Sequence, residues 1–247
     1  MKGLTTALRT LTILPAPGRD SAEFADSLYW FPVVGLVIGA LLYLPVLVLQ
    51  SAGITPWPEG LALFILLISV AITRGLHLDG LSDFADGFWG SHERDRILVI
   101  MKDSAIGTFG GIALTLFLLS KWMLITRIIE MERAHWVITA CVASRAMQAA
   151  LAASFPYARP EGGTAGSFVQ GAGKRHLCSV LIIGFLFSTA SAAFLPITAI
   201  SAFAAAGLVT ILTGKWSNRK IGGVTGDVIG TVNEFTEVTV LVVGTIA

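Results

Sequence analysis

The feature that most constrains this chain is a set of long uncharged runs. Phe31 to Leu49 contains no charged residue, and Ile106 to Thr126 contains only Lys121. A helix needs about 20 mostly apolar residues to cross a bilayer, so each run is long enough to span one. Trp136 to Ala153 reads the same way, with Arg145 in its middle, and Leu177 to Thr213 is long enough for two spans with a turn at Pro196. Leu61 to Thr73 is short and must extend towards Pro58 or into Gly75 and Leu76, while Val228 to Ala247 forms a last span containing Glu234 and Glu237. The expectation is an all-α, polytopic membrane helix bundle of about seven transmembrane helices, one integral membrane domain over residues 1–247. Leu4 to Leu14 is expected as a short amphipathic helix on the membrane surface, and the apolar run Leu11 to Leu14 before Pro15 is too short for the core of a cleavable signal peptide.

Composition agrees. Only 13% of the 247 residues are charged and 54% are hydrophobic, where an ordinary soluble domain is about 25% charged. The net charge of +1 lacks the basic excess of a nucleic-acid-binding protein, so no nucleic-acid partner is expected. Cys141 and Cys178 lie in apolar stretches and read as buried, inert thiols. The basic residues alternate between connections. Lys2, Arg9 and Arg19 precede the first span; Arg74, Arg94, Arg96 and Lys102 lie between the second and third; Arg159, Lys174 and Arg175 lie between the fourth and fifth; Lys215, Arg219 and Lys220 precede the last. The opposite connections hold only Arg127 and Arg133. By the positive-inside rule the N-terminus and the charged loops face the cytoplasm. Lys121, near a span end, is expected to snorkel.

With so few charges, their placement is informative. Residues 74–105 hold six of the sixteen acids. Asp79, Asp83 and Asp86 are spaced i, i+4, i+7, which puts three carboxylates on one face of a helix. Like charges so arranged repel unless a cation lies among them, and carboxylates suit Mg²⁺, which is commonly held together with substrate phosphates. His77 can hydrogen-bond an Asp or a phosphate. Lys102 and Asp103 follow, then the glycines of 107–111, which either offer helix-start amides to a phosphate or allow tight helix packing. Arg94, Asp95 and Arg96 read as a solvated turn. A second glycine-rich segment, Gly222 to Asp227 with Gly226, leads to Glu234 and Glu237. On the same predicted side as the Asp cluster, it reads as the second wall of a phosphate–metal site. Acids and bases inside a membrane are costly and by default functional. Arg145 therefore needs a carboxylate or phosphate partner, Glu234 and Glu237 are either functional or interfacial, and Tyr157 and Arg159 can hold an anion.

These segments together resemble the cobalamin synthase (adenosylcobinamide-GDP ribazoletransferase) family. The residues that carry the resemblance are Arg9 to Pro15, Phe31-Pro-Val-Val-Gly35, Gly75-Leu-His-Leu-Asp-Gly-Leu-Ser-Asp83 with Asp86-Gly87, and Ile100 to Ser104 with Gly107-Thr-Phe-Gly110. Ser144-Arg145, Tyr157-Ala-Arg159 and Gly222-Gly-Val-Thr-Gly-Asp227 with Glu234 and Glu237 complete it. The match runs in order along nearly the whole chain. Ser82-Asp83-Phe84 departs mildly from the family's usual Ala-Asp-Thr but keeps the acid. The resemblance implies a Mg²⁺-dependent transferase of the inner membrane with its site at the cytoplasmic face. Adenosylcobinamide-GDP and α-ribazole, or α-ribazole 5′-phosphate, would give adenosylcobalamin, or its 5′-phosphate, and GMP. On that reading Asp79, Asp83, Asp86 and Asp227 hold Mg²⁺, one of the first three, such as Asp86, acts as base, and Lys102, Arg145 and Arg159 balance diphosphate charge. The large corrin and the short spans make a homo-oligomer or an open lateral groove conceivable. The alternatives are a CDP-alcohol-type phosphotransferase acting on a lipid, whose Asp-Gly-x-x-Ala-Arg opening is not matched, and a secondary transporter, whose two related halves are not found.

Overall fold

The computed structural model describes every residue except Met1, Pro160, Thr164, 192–195 and Ala247. Eleven α-helices and one 3-10 helix (Phe24–Trp30) account for most of the described chain, and its only β pairing is an isolated bridge between Tyr157 and Val224. The expected apolar segments become α2 (Phe31–Ser51), α3 (Pro58–Thr73), α6 (Thr108–Glu130), α7 (Trp136–Ala152), α9 (Lys174–Ser191), α10 (Pro196–Ile221) and α11 (Gly226–Ile246). The polar stretches supply α1 (Lys2–Leu11), α4 (Leu76–Gly90), α5 (Arg94–Ile100) and α8 (Gly166–Gln170). The turn expected near Pro196 falls at 192–195, outside the described residues, and Pro196 itself heads α10.

At 1.5 Å per residue, the 21 residues of α2 and of α11 each reach about 31 Å, the thickness of a hydrocarbon core. Among the described residues, four helices are long and apolar enough to cross alone, or five if a bent pair counts as one span. The expectation of about seven spans differs at three places. The 16 residues of α3 reach only about 24 Å. The chain then turns by 87° into α4, because Arg74 and Gly75 are both left-handed, with φ of 56° and 65°. The short α7 is buried along almost its whole length, so it is the centre of the bundle and not a lipid-facing span. The 18 residues of α9 also fall outside the set that qualifies alone.

In lipid, apolar side chains gain little by leaving hydrocarbon for a protein interior, so helices associate through close contact at small residues. Here the helix being contacted is α7, rich in alanine. A Cβ on Gly35 of α2 would overlap the Cys141 carbonyl, and one on Gly39 would lie 2.7 Å from the Cα of Ile138. Gly184 of α9 meets Ala146 in the same way, and Gly244 of α11 meets the Trp136 ring. The outward faces carry exposed Leu44 and Val48, Leu63 and Leu67, Leu116 and Met123, and Ile211 and Leu212. Apolar surface on this scale needs lipid against it. Cys141 is buried as expected, but Cys178 is exposed. It shares an outer stripe of α9 with exposed Ile182 and Leu186, at i, i+4 and i+8, so the apolar stretch marked an outward face and not core.

Replacing Gly39 by Val pushes α2 off α7. Overpacking of this kind costs about 1–3 kcal/mol, and the expected result is a lower thermal midpoint in detergent.

Candidate active site

The connections at one end of the bundle are tied into a single floor. Ala158 donates its amide to the Val224 carbonyl at 2.9 Å, and Val224 donates to the Pro156 carbonyl at 2.8 Å. Arg94, expected as part of a solvated turn, instead donates from Nε to the Ile221 carbonyl at 3.0 Å and from Nη2 to the Ala158 carbonyl at 2.9 Å. Lys220 caps α4 by donating to the Phe88 carbonyl at 2.8 Å. The partners of Arg94 lie 127 and 64 residues away, so no local pattern marks them.

Above this floor α4 and α11 touch backbone to backbone. A Cβ on Gly80 would lie 3.0 Å from both the Cα and the carbonyl oxygen of Asp227, and Thr231 donates its hydroxyl to the Gly80 carbonyl at 3.1 Å. This contact joins two segments far apart in sequence, with Gly80 and Thr231 separated by 151 residues. Asp227 accepts from Arg159 Nη2 at 2.9 Å and from Thr225 Oγ1 at 3.1 Å. Asp83 lies in the fields of Asp227, Asp79, Asp86 and Arg159. Of these four carboxylates only Asp227 pairs with the guanidinium. The side chains of Asp79 and Asp83 make no ion pair with any described residue.

Asp86 is occupied differently. Its oxygens accept the amides of Gly107 at 2.7 Å and Gly110 at 2.8 Å, so it caps α6 from the neighbouring helix. The helix-start amides considered as a phosphate cradle are filled by this carboxylate, and the absence of side chains at Gly107 and Gly110 is what admits it. Lys102 pairs loosely with Glu161 at 3.6 Å, both exposed. Asp103 closes its own turn by accepting the Ala105 amide at 3.0 Å.

A cavity of about 260 Å³ opens beside the acidic group, lined by His77, Asp79, Tyr157, Arg159, Gly226 and Asp227. Leu11, Leu28, Phe31 and Phe168 supply apolar lining to the same cavity. The N-terminal segment therefore forms a wall of the site, held there by the Ile13 amide on the Ile72 carbonyl at 2.8 Å.

Arg145, Glu234 and Glu237 sit elsewhere. They form a buried ion cluster inside the bundle with Lys121, which does not snorkel but is 5% exposed. Lys121 Nζ lies 2.6 Å from both Glu234 and Glu237, and Arg145 pairs with Glu237. Asn233 donates to both glutamates at 3.1 Å. The two cations and two anions balance. Lys121 lies 116 residues from Glu237 in sequence; its one legible signal was being the lone charge in α6's apolar run. His77 lines both this cluster's small pocket and the larger cavity.

Fold and site define a polytopic membrane helix bundle that gathers carboxylates and a guanidinium around a cavity at its charged end. Residues 3–245 match the cobalamin-5-phosphate synthase family, and the chain belongs to that family. It is similar to the adenosylcobinamide-GDP ribazoletransferase of Chlorobium chlorochromatii, 46% identical over 98% of this chain and 95% of that protein. It is also similar to those of Chlorobaculum tepidum, 46% identical over 97% and 93%, and Syntrophobacter fumaroxidans, 37% identical over 96% and 95%. No solved structure matches the chain.

Removing one member of a buried ion cluster leaves an uncompensated charge and costs about 3–5 kcal/mol. Lys121→Met should lower the yield and thermal midpoint of folded protein in detergent. Lys121→Met with Glu234→Gln should recover a large part of both.

Proposed function

We propose that this protein is an adenosylcobinamide-GDP ribazoletransferase of the inner membrane, with the charged end of the bundle facing the cytoplasm. The observation that carries the reading is the pairing of Asp227 with Arg159 beside Asp79 in the lining of a nucleoside-sized cavity, with Asp83 in the field of all three, in a chain of this family. A ribose hydroxyl of α-ribazole, or of its 5′-phosphate, attacks the phosphorus that bears the cobinamide arm. A new P–O bond forms, the bond from that phosphorus to the GMP oxygen breaks, and GMP leaves with the bridging oxygen. Asp79 lines the cavity and is not engaged in an ion pair, so it is the carboxylate placed to take the hydroxyl proton. Arg159 carries the charge that balances the diphosphate. Asp86, with both oxygens on backbone amides, fixes the α4–α6 junction and is a positioning residue.

The donor set fits Mg²⁺ in a specific way. Among the described residues no three His, Cys, Asp or Glu side chains converge into a metal cage. Mg²⁺ commonly takes one or two carboxylates and completes its shell with water and substrate phosphates. Asp83 and Asp227 supply such hard oxygens, in a group where carboxylates outnumber the guanidinium. When bound there, Mg²⁺ neutralises charge on the diphosphate and on the departing GMP. The buried Arg145–Glu237–Lys121–Glu234 cluster does not touch substrate on this reading and holds α6, α7 and α11 in register.

Purified protein given adenosylcobinamide-GDP and α-ribazole should release GMP only when both substrates and Mg²⁺ are present, and EDTA should stop it. Asp83→Asn should abolish turnover with the thermal midpoint unchanged, and normal activity in that variant removes the metal-site reading. Asp79→Asn should lower kcat by about 10²–10⁴-fold, the usual contribution of a general base.

A further inference from the structure

We propose that the 260 Å³ cavity is the seat of the acceptor nucleoside, with the aromatic base of α-ribazole held against Leu28, Phe31 and Phe168 and its ribose turned to the Asp79–Asp227–Arg159 rim. This rests on the transferase reading above and adds which substrate occupies the enclosed space, and in which direction.

Size decides first. Pockets for drug-sized ligands run from about 300 to 1,000 Å³. A space of about 260 Å³ therefore holds one nucleoside-sized group, and a corrin must stay outside it. Polarity decides next. Phe31 and Phe168 are 4% and 5% exposed, and Leu11 and Leu28 are 2% and 1% exposed. The two rings lie 6.2 Å apart with planes tilted by 59°, offering both a face and an edge to a flat apolar guest. Guanine presents donors and acceptors around its edge, which this wall would leave unpaired at a cost of several kcal/mol-scale hydrogen bonds. A dimethylbenzimidazole is apolar over most of its edge and suits it.

Two buried polar atoms then give the cavity its few recognition points. Gln148 is 2% exposed and His77 3% exposed. Gln148 Oε1 and His77 Nε2 each lack a hydrogen-bond partner among the described residues, and both side chains line the cavity. Native buried polar atoms are nearly always paired, so these two side chains hold unused hydrogen-bonding capacity in the cavity wall, and ribose hydroxyls are both donors and acceptors. His77 and Asp79 both lie on α4 and both line the cavity, which places the ribose where the acidic group can reach its hydroxyl.

The test is a size exchange with the full-length protein in detergent. Ala152→Val narrows the cavity from the end of α7, and Phe168→Leu enlarges it. Ala152→Val should raise the KM for α-ribazole by about tenfold, the scale of one or two methyl groups in an apolar pocket, and leave the KM for adenosylcobinamide-GDP within about twofold. The riboside of unsubstituted benzimidazole should rescue Ala152→Val, a pattern that general damage to the fold does not produce. Titration calorimetry in EDTA should show α-ribazole binding to wild type and weaker binding to both variants, with no turnover involved. If the two variants instead shift the KM for adenosylcobinamide-GDP, the cavity seats guanine and the proposal is overturned while the transferase reading stands. Unchanged α-ribazole binding in both variants also overturns it. Absence of any cobinamide-dependent GMP release from wild type would instead sink the transferase reading itself.

Discussion

Close contact at α7 is the condition on which the bundle depends. In hydrocarbon, burial of a leucine earns little, so shape and backbone proximity hold helices together. Among the described residues α7 is buried along almost its whole length, and α2, α9 and α11 each present a glycine to it. Its alanines keep the approach short. Because α7 needs no lipid-facing surface, it can carry a completely buried arginine in place of another apolar side chain, and Arg145 then recruits Glu237 from α11. The polar cluster is affordable only because the packing around it excludes lipid from the ions.

That packing also explains what could be read along the chain and what could not. The apolar runs at Phe31, Ile106 and Trp136 matched helices to within a few residues, because hydrophobic length is a local property of sequence. The Gly80 and Asp227 segments were both visible as glycine next to acid, and their meeting follows from the same feature: a missing Cβ lets two backbones touch. Pairings across the bundle were not visible. Lys121 near the end of an apolar run has the local signature of a snorkelling residue, and only the topology supplies the two glutamates that hold it inside. Asp86 has the spacing of a third metal ligand, yet its carboxylate fills the start of α6. Arg94 sits among charges in a short connection, and its carbonyl partners, the end of α10 and the segment after α7, become its neighbours only once the bundle is assembled.

The ion cluster and the candidate site are linked through the rotation of α11. Asp227, Thr231, Glu234 and Glu237 follow one another at spacings of four, three and three residues, so they share one face of that helix. Glu234 and Glu237 are pinned by Lys121 of α6 and Arg145 of α7, which sets the angle of α11 about its own axis. The same angle turns Thr231 onto the Gly80 carbonyl and Asp227 towards Arg159 and the acids of α4. A rotation of one residue, about 100° at 3.6 residues per turn, would carry all four away together. The membrane-buried charges therefore act on the candidate site at a distance: they fix where Asp227 stands relative to Arg159 and the acids of α4.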